Sequence, residues 1–313
     1  MNSKGYTTKI ENCQILRNFR MTDGTLSVIL VRCAGNADSE VGCHLRVSVA
    51  ANDTRQRSEP ENMWKDLVVH TQAGDVLLTD SPDAGAAFAK AGGCVIGLCP
   101  EEALHTIDFP DAAVLAAEEK AEELSESFIR KTACHFYGKP FTVAETQRLV
   151  IRESTGEDYE AVYSLLKACE ETDLAGRNGA QTAGGYRIFA EGFGLKEIGS
   201  RKQFSEYVNA CYRFFGFGIW TVLLKGEIGK VIGWCGLFPK KDEGEAGFHI
   251  ELGYAIASAF RGKGYGYEAC RAILDYAGNE LELERDQILA RVDARNAPAL
   301  GLAQKLGLTI QTM

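Results

Sequence analysis

Long apolar runs are missing from this chain: no stretch approaches the roughly 20 residues that a bilayer-spanning helix needs. Its opening, Met1-Asn2-Ser3-Lys4, leads into polar sequence rather than a signal peptide. No membrane role is expected. Paired cysteine spacings are missing too. The ten cysteines are scattered, no C-x-x-C occurs, and the closest pair is Cys94 and Cys99. That pattern offers no metal site and reads as reduced thiols, so a cytoplasmic location is expected. There is no basic surplus: 34 Lys and Arg stand against 43 Asp and Glu, a net charge of −9. A general nucleic-acid binder is thereby disfavoured. Two phosphate-binding signatures fail as well. No glycine turn ends in Lys-Ser or Lys-Thr, and the alternating glycines below do not follow G-x-G-x-x-G.

What is present suits two soluble domains. At 313 residues, 45% hydrophobic and 25% charged, the chain is large enough for two buried cores. The boundary is expected within Tyr137-Gly138-Lys139-Pro140-Phe141-Thr142, where a helical pattern meets a Gly and a Pro. Leu124, Phe128 and Ile129 recur just before it at helix spacing, in a charged stretch that fits an amphipathic helix. Asp75–Asp80 reads as a strand, Asp83–Ala91 as a helix and Cys94–Leu98 as a second buried strand, a parallel α/β unit. Ala112–Ala117 fits a strand or a helix start equally well.

The most informative stretch is Ile250-Glu251-Leu252-Gly253-Tyr254-Ala255-Ile256, followed by Arg261-Gly262-Lys263-Gly264-Tyr265-Gly266. The first segment reads as a buried strand. The second reads as a glycine turn opening a helix over Tyr267–Ala277. Unpaired N–H groups at such a helix start point at an anionic ligand, and the helix dipole favours its charge. Gly262, Gly264 and Gly266 lack a Cβ, so the main chain can approach a pyrophosphate closely.

R-x-x-G-x-G between a strand and a helix resembles the acyl-CoA loop of the GNAT acetyltransferases. Arg148–Glu153 before Glu157-Asp158 is similar to that family's first strand and helix start. Gly218–Val222, Val231–Leu237, Ile250–Ile256 and Ile288–Val292 resemble its second to fifth strands, and Asn296–Leu308 its last helix and exit turn. Glu-Leu-Gly-Tyr, then Arg-Gly-Lys-Gly-Tyr-Gly, then Arg-Asn, is most similar to the subgroup acting on N termini of ribosomal proteins. The resemblance implies an α/β (α+β) protein. Residues 148–313 would form a GNAT acyltransferase fold with a mixed, mostly antiparallel sheet, and residues 1–140 a smaller α/β domain. It also implies acetyl-CoA as co-substrate and a primary amine as acceptor, a peptide N terminus or a small molecule. Without a working acid or base, the same fold would serve as a non-catalytic acyl-CoA-binding sensor or scaffold.

The resemblance assigns roles residue by residue. The loop 261–266 would hold the pyrophosphate, chiefly through backbone, with Arg261 and Lys263 as extra charge partners or as solvated surface. Tyr254, Ala255 and Ile256 would pair with the pantetheine arm. Asn296 would touch the cofactor farther along, or act as a helix N-cap. Glu251 would be the general base, acting through a water, or a strand carboxylate satisfied by a neighbouring backbone group or an Arg. His249 is expected on the opposite strand face and receives no role. Trp220 and Trp234 are expected in the core or a pocket wall. The acceptor must be a neutral amine. At pH 7, freeing an α-amine costs about 1.2 kcal/mol and freeing a lysine about 4.6 kcal/mol, which favours an N terminus.

Two departures from the family stand out. The tyrosine that protonates the leaving thiolate in many members falls at Ala303, leaving water, another Tyr such as Tyr254, or no dedicated acid, since a thiolate is a tolerable leaving group. The sequence ends soon after Gly307-Leu308, so one further strand beside the fifth is expected to be missing. The resulting open edge would be filled by the N-terminal domain or by a second subunit in a homodimer, or would mark a degenerate enzyme. In the N-terminal part, Thr79–Gly93 is similar to a late motif of haloacid-dehalogenase-like phosphatases, and Asp23-Gly24-Thr25-Leu26 echoes their first. Met21 stands where the nucleophilic Asp would be, with Arg17 and Arg20 nearby, so phosphatase chemistry is not expected. Finally, the aromatic-bearing, Gly-rich Gly176–Gly199 reads as either a substrate lid or a plain surface loop.

Overall fold

The computed structural model describes residues 19–20, 27–35, 43–50, 75–79, 82–117, 124–165, 198–241 and 248–312. Asp23–Leu26, Met21 and Arg17 lie outside these residues, as do Asp80, Ser81 and all but the end of Gly176–Gly199. The chain divides into two compact units, Met1–Phe141 and Thr142–Met313.

In the first unit, β1 (Phe19–Arg20) and β3 (Cys43–Ala50) each pair antiparallel with β2 (Ser27–Gly35). β4 (Asp75–Thr79), α1 (Pro82–Lys90) and β5 (Cys94–Cys99) form the anticipated strand–helix–strand unit, and β4 and β5 pair in parallel. β6 (Val114–Ala117) continues the parallel run, which makes Ala112–Ala117 mainly a strand. Parallel strands are covered on both faces and so read as unbroken apolar runs. Alternation sends Val76, Leu78, Cys94 and Ile96 to one cluster with Ile129 and Ala133 of α2 (Glu126–Phe136). Leu77 and Val95 go to the other, with Phe88 of α1 and Phe109. Helix α2 starts where Ser125 Oγ accepts from Phe128 N at 3.0 Å, so Leu124 precedes the helix but still packs on it.

The second unit begins at Thr142. β7 (Thr142–Glu145) pairs antiparallel with β8 (Leu149–Glu153). Then follow α3 (Arg201–Phe215), β9 (Ile219–Leu224), β10 (Val231–Lys241), β11 (Phe248–Ile256), α4 (Tyr265–Glu280), β12 (Ile288–Val292), α5 (Ala297–Leu306) and β13 (Thr309–Thr312). The sheet order is β13-β12-β11-β10-β9-β8-β7. It is antiparallel from β7 to β11 and parallel across β11–β12 and β12–β13, hence mixed and mostly antiparallel.

One expectation is corrected here. The fifth strand, β12, is not left as an open edge, because β13 pairs with it from Leu289↔Thr309 to Val292↔Thr312. Gly307, at φ 70°, caps α5 in the left-handed conformation and turns the chain straight into that strand.

Side chains paired across strands share a face. Trp234, Phe238 and Glu251 therefore lie on one face, since Phe238↔Glu251 and Trp234↔Ala255 are in register. Trp220 lies on the other, where Tyr276 of α4 meets it edge-on at 5.9 Å. Both tryptophans are 1% exposed and belong to the core. Within β8, Arg152 donates to both carboxylate oxygens of Asp158 at 2.7 and 2.8 Å. Asp158 also accepts from Thr155 N, which closes a capping box at Gly156–Asp158.

Candidate functional site

Strands β11 and β12 pair only at Ile250↔Ile288 and Glu251↔Leu289. Past that point the ladder stops, although β11 runs on to Ile256 and β12 to Val292. On its other side the same stretch of β11 remains bonded to β10, through Tyr254↔Cys235, Ala255↔Trp234 and Ile256↔Gly233. Two parallel strands that part in this way leave a slot lined by main-chain donors and acceptors. An extended ligand bearing amides can bind there as an added strand.

The chain leaves β11 into the glycine loop. Gly262 and Gly264 adopt φ of 73° and 84°, a conformation that costs an L-residue about 1–2 kcal/mol. Helix α4 then begins at Tyr265, two residues before the expected Tyr267. Gly266 is thus a helical residue, not a turn residue, and its requirement is space: a Cβ there would come 3.1 Å from the Tyr254 ring. Among the described residues, the N–H groups of Gly262 to Gly266 have no hydrogen-bond acceptor. They lie at the positive end of a 16-residue helix, an arrangement suited to a phosphate.

The basic side chains of the loop bond to nearby main-chain carbonyls. Arg261 Nε donates to the Ile256 carbonyl at 2.8 Å, which ties the loop to the end of β11. Lys263 Nζ donates to the Ala259 carbonyl at 3.0 Å and sits 5.5 Å from the Phe260 ring centre. Both bonds brace the geometry of the loop.

Glu251 is 8% exposed. Its Oε1 lies 2.9 Å from Arg291 Nη2 and 3.4 Å from His249 Nε2. His249 therefore shares the face of Glu251, correcting the sequence expectation: residues two apart on a strand point the same way. Asn296 Oδ1 accepts from Ala299 N at 3.2 Å, so the N-cap role is the one seen. Ala303 is 2% exposed inside the packing of α5 and has nothing to donate. Burial pushes the Tyr254 hydroxyl up to about 12. A proton held that tightly does not pass downhill to a thiolate whose thiol titrates near about 8.5.

Residues missed in the sequence complete the site. Arg148, before β8, has its Nε 2.7 Å from Glu268 Oε2 in the first turn of α4, and its Nη1 donates to the Lys263 carbonyl at 3.0 Å. Burial raises the Glu268 carboxyl, but bonds from Thr146 and Arg148 outweigh it and hold the group below its ordinary 4.5. An open groove of about 620 Å³ runs alongside, lined by Thr146, Arg148, Tyr267 and Arg271 among others. Separations of 115 and 120 residues hid these contacts from local pattern reading.

Comparison with known proteins follows the same part of the chain. A family model described as "Acetyltransferase (GNAT) domain" matches residues 148–309, just over half of the 313. YkkB of Bacillus subtilis, itself uncharacterized, is 33% identical over 118 residues, 37% of this chain and 64% of YkkB. YdaF of the same organism, provisionally described as a ribosomal N-acetyltransferase, is 38% identical over 66 residues, 21% of this chain and 36% of YdaF. The matches thus span less than two thirds of either curated relative. A solved GNAT-family acetyltransferase from Bacillus anthracis aligns over 52% of this chain and 81% of its own, at 24% identity and a TM-score of 0.34.

Proposed function

The chain belongs to the GNAT acetyltransferase family, and from that premise we propose that it moves an acetyl group from acetyl-CoA to a primary amine, a peptide or protein N terminus or a small amine. The observation that carries this reading is the parting of β11 from β12 beside a glycine loop whose N–H groups point at no acceptor. The slot suits the amide-bearing pantetheine arm along Tyr254, Ala255 and Ile256. The loop suits the diphosphate at residues 261–266. The acetyl thioester then lies toward Glu251, where the two strands meet.

The neutral amine nitrogen attacks the thioester carbon, the C–S bond breaks, and CoA leaves as a thiolate. Glu251, through a water, takes the proton that the attacking nitrogen loses, and solvent protonates the thiolate. An α-amine needs about 3.4 kcal/mol less than a lysine to reach the neutral form at pH 7, which favours a peptide N terminus. The description given to YdaF supports the same choice. Cysteines free of disulfides, as all six described are, support a reducing cytoplasmic setting.

Ala303 supports a second reading, an acyl-CoA-binding module without turnover. Calorimetric titration with acetyl-CoA and with CoA, followed by an amine panel led by N-terminal peptides, separates the two. Saturable binding with acetylation of a panel member is the expected result. Binding with no acceptor consumed would select the module, and no binding by folded protein would remove both.

A further inference from the structure

Arg148 stands at the turn between β7 and β8 and lines the open groove beside Gly264 and the first turn of α4. Three of its contacts converge on the first turn of α4. Its Nη1 bonds the Lys263 carbonyl at 3.0 Å. Its Nε and Nη2 meet Glu268 Oε2 at 2.7 and 2.5 Å. Its Cζ lies 4.3 Å from the centre of the Tyr265 ring. From below, Thr146 Oγ1 and Arg148 N hold Glu268 Oε1 at 2.6 and 3.1 Å.

Two consequences bear on anion binding. In a trans peptide the C=O and the following N–H point in opposite directions. A guanidinium gripping the Lys263 carbonyl therefore turns the Gly264 N–H away from Arg148 and toward the ligand side. Glu268, meanwhile, places a carboxylate in the turn whose dipole should attract a diphosphate. Left alone it would repel that ligand, and Arg148 cancels it with a forked ion pair.

We propose that Arg148 is a positioning residue for the diphosphate of the acetyl donor, aiming the Gly264 N–H and neutralising Glu268 without touching the ligand. This inference rests on the proposed acetyl-CoA site. Its reach is specific to the charged end of the donor, because the slot beside β11 lies beyond its contacts.

The test compares wild type, Arg148→Gln, Glu268→Gln and the double variant in calorimetric titrations with acetyl-CoA and with S-acetylpantetheine, which lacks the diphosphate. Arg148→Gln is expected to weaken acetyl-CoA about tenfold or more, the range of one lost charge-assisted bond, and to leave S-acetylpantetheine unchanged. Adding Glu268→Gln should restore part of the lost affinity. In turnover, KM for acetyl-CoA should rise while kcat holds. Wild-type affinity in Arg148→Gln, an equal loss for both donors, or no recovery in the double variant would each overturn the inference. If Arg148→Gln does not fold, Arg148→Lys keeps the charge but not the fork to Lys263. It should then show a smaller loss, confined to acetyl-CoA, and an equal loss for both donors would again overturn the idea. A wild-type protein that ignores acetyl-CoA would instead sink the site itself, and this inference with it.

Discussion

At Glu251 a carboxylate 8% exposed shares one oxygen between Arg291 at 2.9 Å and His249 at 3.4 Å. A group held like this is ready to relay a proton through a water only if the partners orient it rather than consume it. Glu251→Gln separates the alternatives. The amide keeps the shape but removes the basic oxygen pair, and loss of a general base usually costs about a hundredfold or more in rate. Turnover should fall by that order while acetyl-CoA affinity stays put, because the loop binds at the far end of β11. A parallel fall in both, measured by kinetics and titration, would make Glu251 a structural ion-pair member. Its place was readable from Glu251-Leu252-Gly253-Tyr254. Its partner Arg291 was not, since it depends on how two strands part rather than on any local pattern.

Among the elements, the β11–loop–α4 passage was the most legible, because glycines at fixed offsets after an apolar strand leave few conformations open. The error there was one of period: Tyr265-Gly266-Tyr267 looked like turn, yet the N–H groups of a helix start can begin as soon as Gly264 has made its left-handed step. Gly264→Val places a β-branched side chain at φ 84° and a Cβ 3.5 Å from Arg148 Nη2. It should abolish acetyl-CoA binding and leave the far-UV circular dichroism of the chain intact. Normal affinity in this variant would remove the loop from the site. The β12 edge failed for a different reason. Thr309–Thr312 is short and mostly exposed, so hydrophobic alternation carried no signal of the parallel pairing that β13 makes.

Over the whole molecule, two separate sheets with their own cores imply two cooperative melting events rather than one. A ligand stabilises only the unit that binds it, by about 2.7 kcal/mol at a hundred times its dissociation constant. For a unit of this size that is roughly 5–10 °C. Differential scanning calorimetry with excess acetyl-CoA should therefore move one transition and leave the other in place. A single transition that shifts as a block would show the units to be energetically one. The parallel β4–α1–β5 unit of the first sheet was legible from its apolar runs, whereas a purpose for it was not, since among the described residues no metal-ligating cluster accompanies those runs.

The cysteines, so uninformative at the outset, become useful once the fold is known. Cys94, Cys99 and Cys134 are sealed in the first unit, and Cys211, Cys235 and Cys270 in the second. Burial pushes the Cys94 and Cys211 thiols up to about 12 and raises those of Cys235 and Cys270 as well. Alkylating reagents attack thiolates, so each of these sulfurs stays silent until its own surroundings open. The protein thus carries two natural stopwatches, one for each half, and peptide mass mapping after timed labelling reads them separately without any engineered probe.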